Sequence, residues 1–90
     1  MIKIIATLLT FFAFNVSHAK VNVGIILGFT GPIETLTPGM SAGAELAFNE
    51  AADSGKLLNG QGINIIKVDS TCVDSAAATS AAESLISQGV

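Results

Sequence analysis

The stretch from Val21 to Ala52 constrains this chain most, because it passes from a strand through a turn-rich loop into a helix without interruption. Residues 21–27 are mostly apolar and β-branched, a pattern typical of a strand buried on both faces of a parallel sheet. Thr37-Pro38 predicts a helix start, with the Thr37 hydroxyl as N-cap and proline at the first helical position. Ligands of open α/β sheets bind at the carboxyl ends of strands, so the loop 29–37 is the first place to look for function.

The same unit follows a second time. Residues 63–68 predict another strand, ending at Asp69, and Asp74 or Ser75 is expected to cap a helix over residues 76–88. A left-handed cap at Gly55 is expected to end the first helix. The stripes expected to face the sheet are Met40, Gly43, Ala44, Ala47, Phe48 and Ala51 in the first helix and Ala78, Ala81, Ala82, Leu85 and Ile86 in the second. Two strand-helix units predict the α/β class, with a parallel sheet, right-handed crossovers and flanking helices.

Residues 1–19 have the character of an export signal. A basic start at Lys3 precedes an apolar run over 4–14, and small residues end the segment at Ala19. We expect cleavage between Ala19 and Lys20 and an exported mature protein, which the family resemblance described below would place in the periplasm. A permanent anchor is the less favoured alternative, because the apolar run has about half of the roughly 20 residues that span a bilayer. No cysteine follows the run, which argues against a lipid-modified amino terminus.

Charge and motif content exclude several classes of function. The formal charge is −3, and it becomes −4 without Lys3, so no basic patch is present for a nucleic-acid partner. Gly24, Gly28 and Gly31 match neither the dinucleotide fingerprint nor the phosphate loop, and no cofactor is expected. The single histidine, His18, lies in the signal segment, which leaves no metal site and no nucleophile-base pair in view. An exported hydrolase would need a G-x-S-x-G-like elbow and a downstream histidine, so we expect no enzyme.

The last residues suggest a chain that continues. The segment after Ala19 is small for a domain with its own core, and a helix ending near Gly89 before Val90 resembles the approach to a third strand. We therefore expect residues 20–90 to be the amino-terminal part of a longer domain.

Four short motifs, in order behind the signal segment, carry a family resemblance. They are Thr30-Gly31-Pro32, Gly43-Ala44-Glu45, residues 60–63, and Asp69 followed by Cys72. Together, over residues 21–90, they resemble the start of a periplasmic solute-binding protein of the leucine/isoleucine/valine-binding type. The resemblance implies a two-lobed type I fold that closes around a small polar solute and delivers it to an ABC permease in the inner membrane. The alternative is a receptor ectodomain with the same fold.

The first loop supplies the expected ligand-binding residues, which are Thr30, Gly31, Thr35 and Leu36. Gly31 would let backbone approach a ligand closely. The resemblance implies that the main ligand contacts come from loops after the third and fourth strands, with this loop as a wall. Leu36 stands where some amino-acid binders have an aromatic residue, so amides, urea-like molecules and other small organic solutes stay open beside amino acids.

Three further residues have alternative roles. Glu34 either binds a cationic group or is simply solvated, and Asp69 is expected to be a cap or turn acceptor more than a ligand. Cys72 is the single cysteine, hence a free thiol or half of a disulfide. The family resemblance favours the disulfide, with its partner after the third strand, beyond residue 90.

Overall fold

The structure, a computed structural model, describes residues 20–90. The predicted signal segment, up to and including Ala19, lies outside the described residues. The described chain forms, in order, β1 (Val21–Leu27), α1 (Thr37–Asp53), a short 3-10 helix (Leu57–Gly60), β2 (Ile63–Asp69) and α2 (Ser75–Ser87). This order of elements confirms the predicted α/β class.

The two strands pair in parallel and in full register. Val21 lies opposite Ile63 at one end of the sheet, and Leu27 lies opposite Asp69 at the other. Both strands therefore end at the same edge. The backbone N–H of Ser70 donates to the carbonyl of Leu27 at 2.9 Å, which keeps the chain segments together just past that edge.

The helices lie on opposite faces of the sheet. On the α1 side, the Lys67 ammonium contacts Glu45 at 2.9 Å. On the α2 side, Leu85 packs so closely over Gly24 that a Cβ there would lie 2.5 Å from the Leu85 Cδ1 atom. Gly24 pairs with Ile66, and successive residues of a strand point to opposite faces, so Lys67 and Gly24 mark different sides. The result is a three-layer helix-sheet-helix arrangement, with Ile25, Ala81 and Leu85 as its buried apolar core.

The buried stripe of α1 differs from the prediction. The positions that pack toward the sheet are Thr37, Ser41, Ala44, Phe48 and Ala51. Met40 is 54% exposed, and Gly43 and Ala47 are also exposed, so these three predicted positions are wrong. A small hydroxyl residue can be buried when it bonds locally, and Ser41 does so by donating to Glu45 Oε1 at 2.8 Å.

Thr37 is not the N-cap of α1. Leu36 holds that position with helical dihedral angles, and no side chain caps the helix. Thr37 is instead the first helical residue, fully buried, and its hydroxyl donates to the Glu34 carbonyl at 3.4 Å. The reason is that the chain already turns before the helix: the N–H groups of Leu36 and Thr37 both donate to the Ile33 carbonyl. The predicted end of α1 is confirmed by Gly55, whose φ is +68°.

The second helix follows the prediction more closely. Asp74 is its N-cap and accepts from the Ala76 N–H at 2.8 Å. Ala81 and Leu85 are buried as expected, whereas Ile86 is 72% exposed and was wrongly placed in the stripe. One residue advances a helix by about 100°, which carries Ile86 away from the face that Leu85 presents. Within residues 20–90, none of the helices has the length and apolar character needed to cross a bilayer.

Candidate functional site

Two loops meet at the carboxyl edge of the sheet. The first loop, residues 28–36, follows β1, and the second loop, residues 70–74, follows β2. Because the strands are parallel and in register, both loops leave the sheet side by side. In open α/β sheets this edge is where ligands bind.

The Asp69 carboxylate joins the two loops. Its Oδ1 atom accepts from the backbone N–H of Thr30 at 3.3 Å and of Thr71 at 2.8 Å, and its Oδ2 atom accepts from the Thr30 hydroxyl. The Thr30 hydroxyl first, and then the Thr71 N–H, hold the pKa of Asp69 below its usual value. Asp69 is thus the turn acceptor that the sequence predicts, and it is also a connection between loops.

The loops also approach each other too closely for side chains at two positions. Gly31 has a φ of +98°, and a Cβ there would lie 2.8 Å from the carbonyl oxygen of Thr71. Gly28 is buried, and its Cβ would lie 2.7 Å from that of Cys72. In this structure the lack of a side chain at Gly31 makes room for the backbone carbonyl of Thr71. That the backbone at Gly31 also approaches a ligand stays a prediction.

The second loop has an unusual backbone conformation. Thr71 and Cys72 have φ values of +59° and +65°, in the left-handed region that β-branched residues in particular avoid. Such residues cost about 1–3 kcal/mol each and persist where surrounding contacts hold them. The bond from the Thr71 N–H to Asp69 is one such contact. The Thr71 hydroxyl oxygen is buried and has no hydrogen-bond partner in the described part of the chain.

All four predicted ligand-binding residues lie in the first loop at this edge. Thr30 and Gly31 lie against the second loop through Asp69 and Thr71. Thr35 and Leu36 lie in the turn that leads into α1, where Thr35 is exposed and Leu36 is 63% exposed. Their contact with a solute stays a prediction, because the geometry shows only that their side chains are accessible at the expected edge.

A depression of about 270 Å³ lies beside the second loop. It is lined by Ser70, Cys72, Val73, Asp74, Ser75 and Ala78, and by none of the four predicted residues. Cys72 is exposed and forms no disulfide within residues 20–90.

Charges are distributed unevenly between the two edges of the sheet. Glu34, Asp69 and Asp74 lie at the carboxyl edge, while Lys20 and Lys56 precede the strands at the opposite edge. Over the residues described, no group of three or more potential ligands forms a metal site. The charged side chains of the two loops, and of Asp69 between them, are therefore all acidic.

Comparison with known proteins supplies the family. A family model described as periplasmic binding protein matches residues 20–90, the whole described part of the chain. The chain belongs to this family. Neither the curated proteins nor the solved structures gave a match. Periplasmic binding proteins bind solutes rather than catalyse reactions, so this chain is a binding protein and not an enzyme. Proteins of the family generally work outside the cytoplasm.

The parallel pair with helices on both faces is the architecture expected at the start of a lobe of a periplasmic binding protein. Sequence reasoning missed one feature of its edge, the connection between Asp69 and Thr30. The sequence did contain a signal for it: Asp69 ends the second predicted strand, and Thr30 follows shortly after the first, at the edge where the loops of adjacent parallel strands meet.

Proposed function

We propose that this chain begins the first lobe of the solute-binding protein of an ABC importer, with a branched-chain amino acid or a related amino acid or amide as solute. The observation that carries the proposal is the carboxyl edge of the sheet, where the first loop carries both the Thr30 hydroxyl, bonded to Asp69, and the exposed apolar side chain of Leu36. Export by cleavage between Ala19 and Lys20 belongs to the same proposal, and the mass of the mature protein tests it.

The positions of the helices support a central place for the first loop. Crossovers between parallel strands are right-handed. Because α2 lies on the opposite face of the sheet from α1, a crossover through α2 would move across the sheet in the opposite direction to the crossover from β1 to β2. A parallel strand after α2 would therefore lie beside the free edge of β1. In that order β1 separates two halves of the sheet that are wound in opposite senses, and the loop after such a strand borders the ligand crevice.

The hydrogen bonds of Thr30 favour a solute with N–H groups. Its hydroxyl proton is donated to Asp69, so the remaining lone pairs of the oxygen can only accept. Asp69 also places negative charge next to that oxygen, and neither loop contains a lysine. An ammonium or amide group matches this position, whereas a carboxylate there would face another carboxylate.

An exposed apolar surface lies at the end of the same loop and at the start of α1. Leu36 is 63% exposed and Met40 is 54% exposed, and they lie one helical turn apart, with the Met40 N–H donating to the Leu36 carbonyl. Two such side chains can cover an aliphatic group of a solute and remove it from water, at about 25 cal/mol per Å² of apolar surface buried. The combination suits a small molecule with an amine or amide at one end and a branched aliphatic chain at the other.

Capture would follow from closure of two lobes. A solute that contacts both lobes favours the closed form by its difference in affinity between the open and closed states. The closed form is then the species that a permease in the inner membrane would recognise.

The test is a thermal-shift and calorimetric screen of the complete mature protein. The solutes are L-leucine, L-isoleucine, L-valine, isobutyramide and urea, with isovalerate as an aliphatic anion without N–H groups. A solute at a hundred times its Kd stabilises the folded state by about 2.7 kcal/mol. We expect stabilisation by at least one N–H-bearing solute and none by isovalerate.

Matched variants locate the site. Leu36→Ala should weaken binding of the stabilising solute by about tenfold, the order expected for an aliphatic side chain that loses a buried contact. Leu46→Ala is the control, because Leu46 is also an exposed leucine, at 60%, but lies within α1 and away from the first loop. No stabilisation by any solute, or equal effects of the two variants, would contradict the proposal.

A further inference from the structure

We propose that Asp69 is a positioning residue of the solute site: it fixes the first loop against the second loop, so that Thr30 and Leu36 face the cleft in a set orientation. The inference rests on the proposed function for its effect on binding. Its effect on the loop itself is independent of any solute.

The first step is the rigidity of the anchor. Asp69 is the last residue of β2 and pairs with Leu27 of β1, so its backbone is held by the sheet. From this point its two carboxylate oxygens accept from the N–H and the hydroxyl of Thr30 and from the N–H of Thr71. A carboxylate that accepts several donors forms stronger bonds than a neutral acceptor would.

The second step is that the other hydrogen bonds of the first loop lie within it or connect it to β1 and α1. The Glu34 N–H donates to the Gly31 carbonyl at 3.2 Å, and the Leu36 N–H donates to the Ile33 carbonyl at 2.9 Å. These bonds give the loop its shape but do not orient it relative to β2. Within residues 20–90, the side-chain hydrogen bonds that do so from Thr30 both end on Asp69.

The third step concerns the strained backbone of the second loop. Thr71 sits at a φ of +59°, and its carbonyl fills the space next to Gly31. The same carboxylate that holds Thr30 also holds the Thr71 N–H. Loss of Asp69 therefore releases both sides of the contact at once, which makes it a stronger perturbation of the site than loss of any single loop bond.

The experiment measures backbone hydrogen exchange and solute affinity in the complete mature protein. In Asp69→Ala we expect the amides of residues 29–36 to exchange about tenfold faster or more, as suits the loss of charge-assisted hydrogen bonds, while the amides of α2 stay unchanged. Affinity for the best solute among L-leucine, L-isoleucine, L-valine, isobutyramide and urea should fall by a similar factor. Asp69→Asn, which keeps an acceptor oxygen for the two N–H donors, should restore most of the protection.

Asp74→Ala is the matched control. Asp74 is also acidic and lies in the second loop, but its carboxylate accepts from Ala76 and caps α2. This variant should speed exchange at the start of α2 and leave residues 29–36 as in the unmodified protein. Equal exchange of the first loop in Asp69→Ala and in the unmodified protein would overturn the inference.

The pH dependence of hydrogen exchange in the first loop tests the same role in the unmodified protein, so it does not rely on Asp69→Ala folding normally. The pKa of Asp69 lies below its usual value of 3.8, so its hydrogen bonds are present above pH 3.8 and are lost as the pH falls through the lowered pKa. Protection of the first loop, corrected for intrinsic exchange, should decrease in that acidic range, and Asp69→Asn should not show the decrease. The other titratable groups of the two loops, Glu34, Cys72 and Asp74, are present in both proteins and cancel in the comparison. A decrease of the same size in Asp69→Asn would refute the role of Asp69.

The outcomes separate this inference from the proposed function. If the unmodified protein binds none of the solutes, the proposed function fails, and the exchange data still decide whether Asp69 holds the loop. If the unmodified protein binds a solute and Asp69→Ala leaves both affinity and exchange unchanged, the positioning role fails and the proposed function stands.

Discussion

A series of glycine-to-alanine substitutions tests the contact between the two loops directly. Gly31 combines two constraints, a φ of +98° and a Cβ position 2.8 Å from the Thr71 carbonyl oxygen. Gly55 has only the first, with a φ of +68° and open space around it, and Gly43 has neither. The same methyl group is added in each case, so the differences between variants isolate each constraint.

The structure sets the size of each effect. An alanine in a left-handed conformation costs about 1–2 kcal/mol, which is the expected loss of unfolding free energy for Gly55→Ala. Gly31→Ala adds a contact with backbone that cannot move aside, for about 1–3 kcal/mol more. Gly43→Ala removes a glycine from the interior of α1 and should stabilise the protein by about 1 kcal/mol.

The assay is equilibrium denaturation of the complete mature protein by urea, with the slope checked for constancy across the series. Exchange of the first-loop amides in Gly31→Ala then shows whether the loss of stability is local to the loops. If Gly31→Ala loses no more stability than Gly55→Ala, the first loop does not pack against Thr71, and the site geometry given above is refuted.

Three further perturbations have defined outcomes. Gly24→Ala should lower the unfolding free energy by about 1–3 kcal/mol because the added methyl group crowds Leu85, and Leu85→Ala should lower it by about 2–5 kcal/mol because it leaves a cavity. The double variant should lose less than the sum of the two single losses, and additive losses would contradict the packing of Leu85 on Gly24. Under non-reducing denaturation of the complete protein, Cys72 should resist iodoacetamide until a reductant is added, and ready labelling would exclude the disulfide. Hydrogen bonds from Lys67 first, and from Ser41 second, lower the pKa of Glu45 from its usual 4.5. Glu45→Gln should therefore remove a contribution to stability that is present above pH 4.5 and is lost as the pH falls through the lowered pKa. An unchanged acid-denaturation curve in this variant would contradict the pairing of Glu45 with Lys67.

The elements themselves could be predicted because their signals are local. The apolar run before Asp69 defines β2, and Asp74 caps α2 through a bond to a residue only two positions away. The left-handed end of α1 at Gly55 is equally local. Signals of this kind do not depend on what the rest of the chain does, so the class of fold followed from them.

The buried face of α1 could not be predicted in the same way. Counting apolar residues placed Met40 toward the sheet, whereas the structure buries Ser41 and Thr37 there. Whether a hydroxyl can be buried depends on the acceptor that it finds, here Glu45 and the Glu34 carbonyl. The connection from Thr30 to Asp69 was missed for a related reason, since these residues are 39 positions apart and meet only when both strands are paired.

The glycine pattern of β1 and the first loop has a physical explanation that the search for phosphate-binding motifs did not offer. A Cβ at Gly24 would meet Leu85, one at Gly28 would meet Cys72, and one at Gly31 would meet the carbonyl of Thr71. All three neighbours belong to the second strand-helix unit. The spacing G-x-x-x-G-x-x-G is therefore explained by close packing of the second strand-helix unit against β1 and the first loop, which leaves no room for side chains at these three positions. Since the same packing brings Asp69 to Thr30, the residues that allow the fold to close also set the geometry of the proposed solute site.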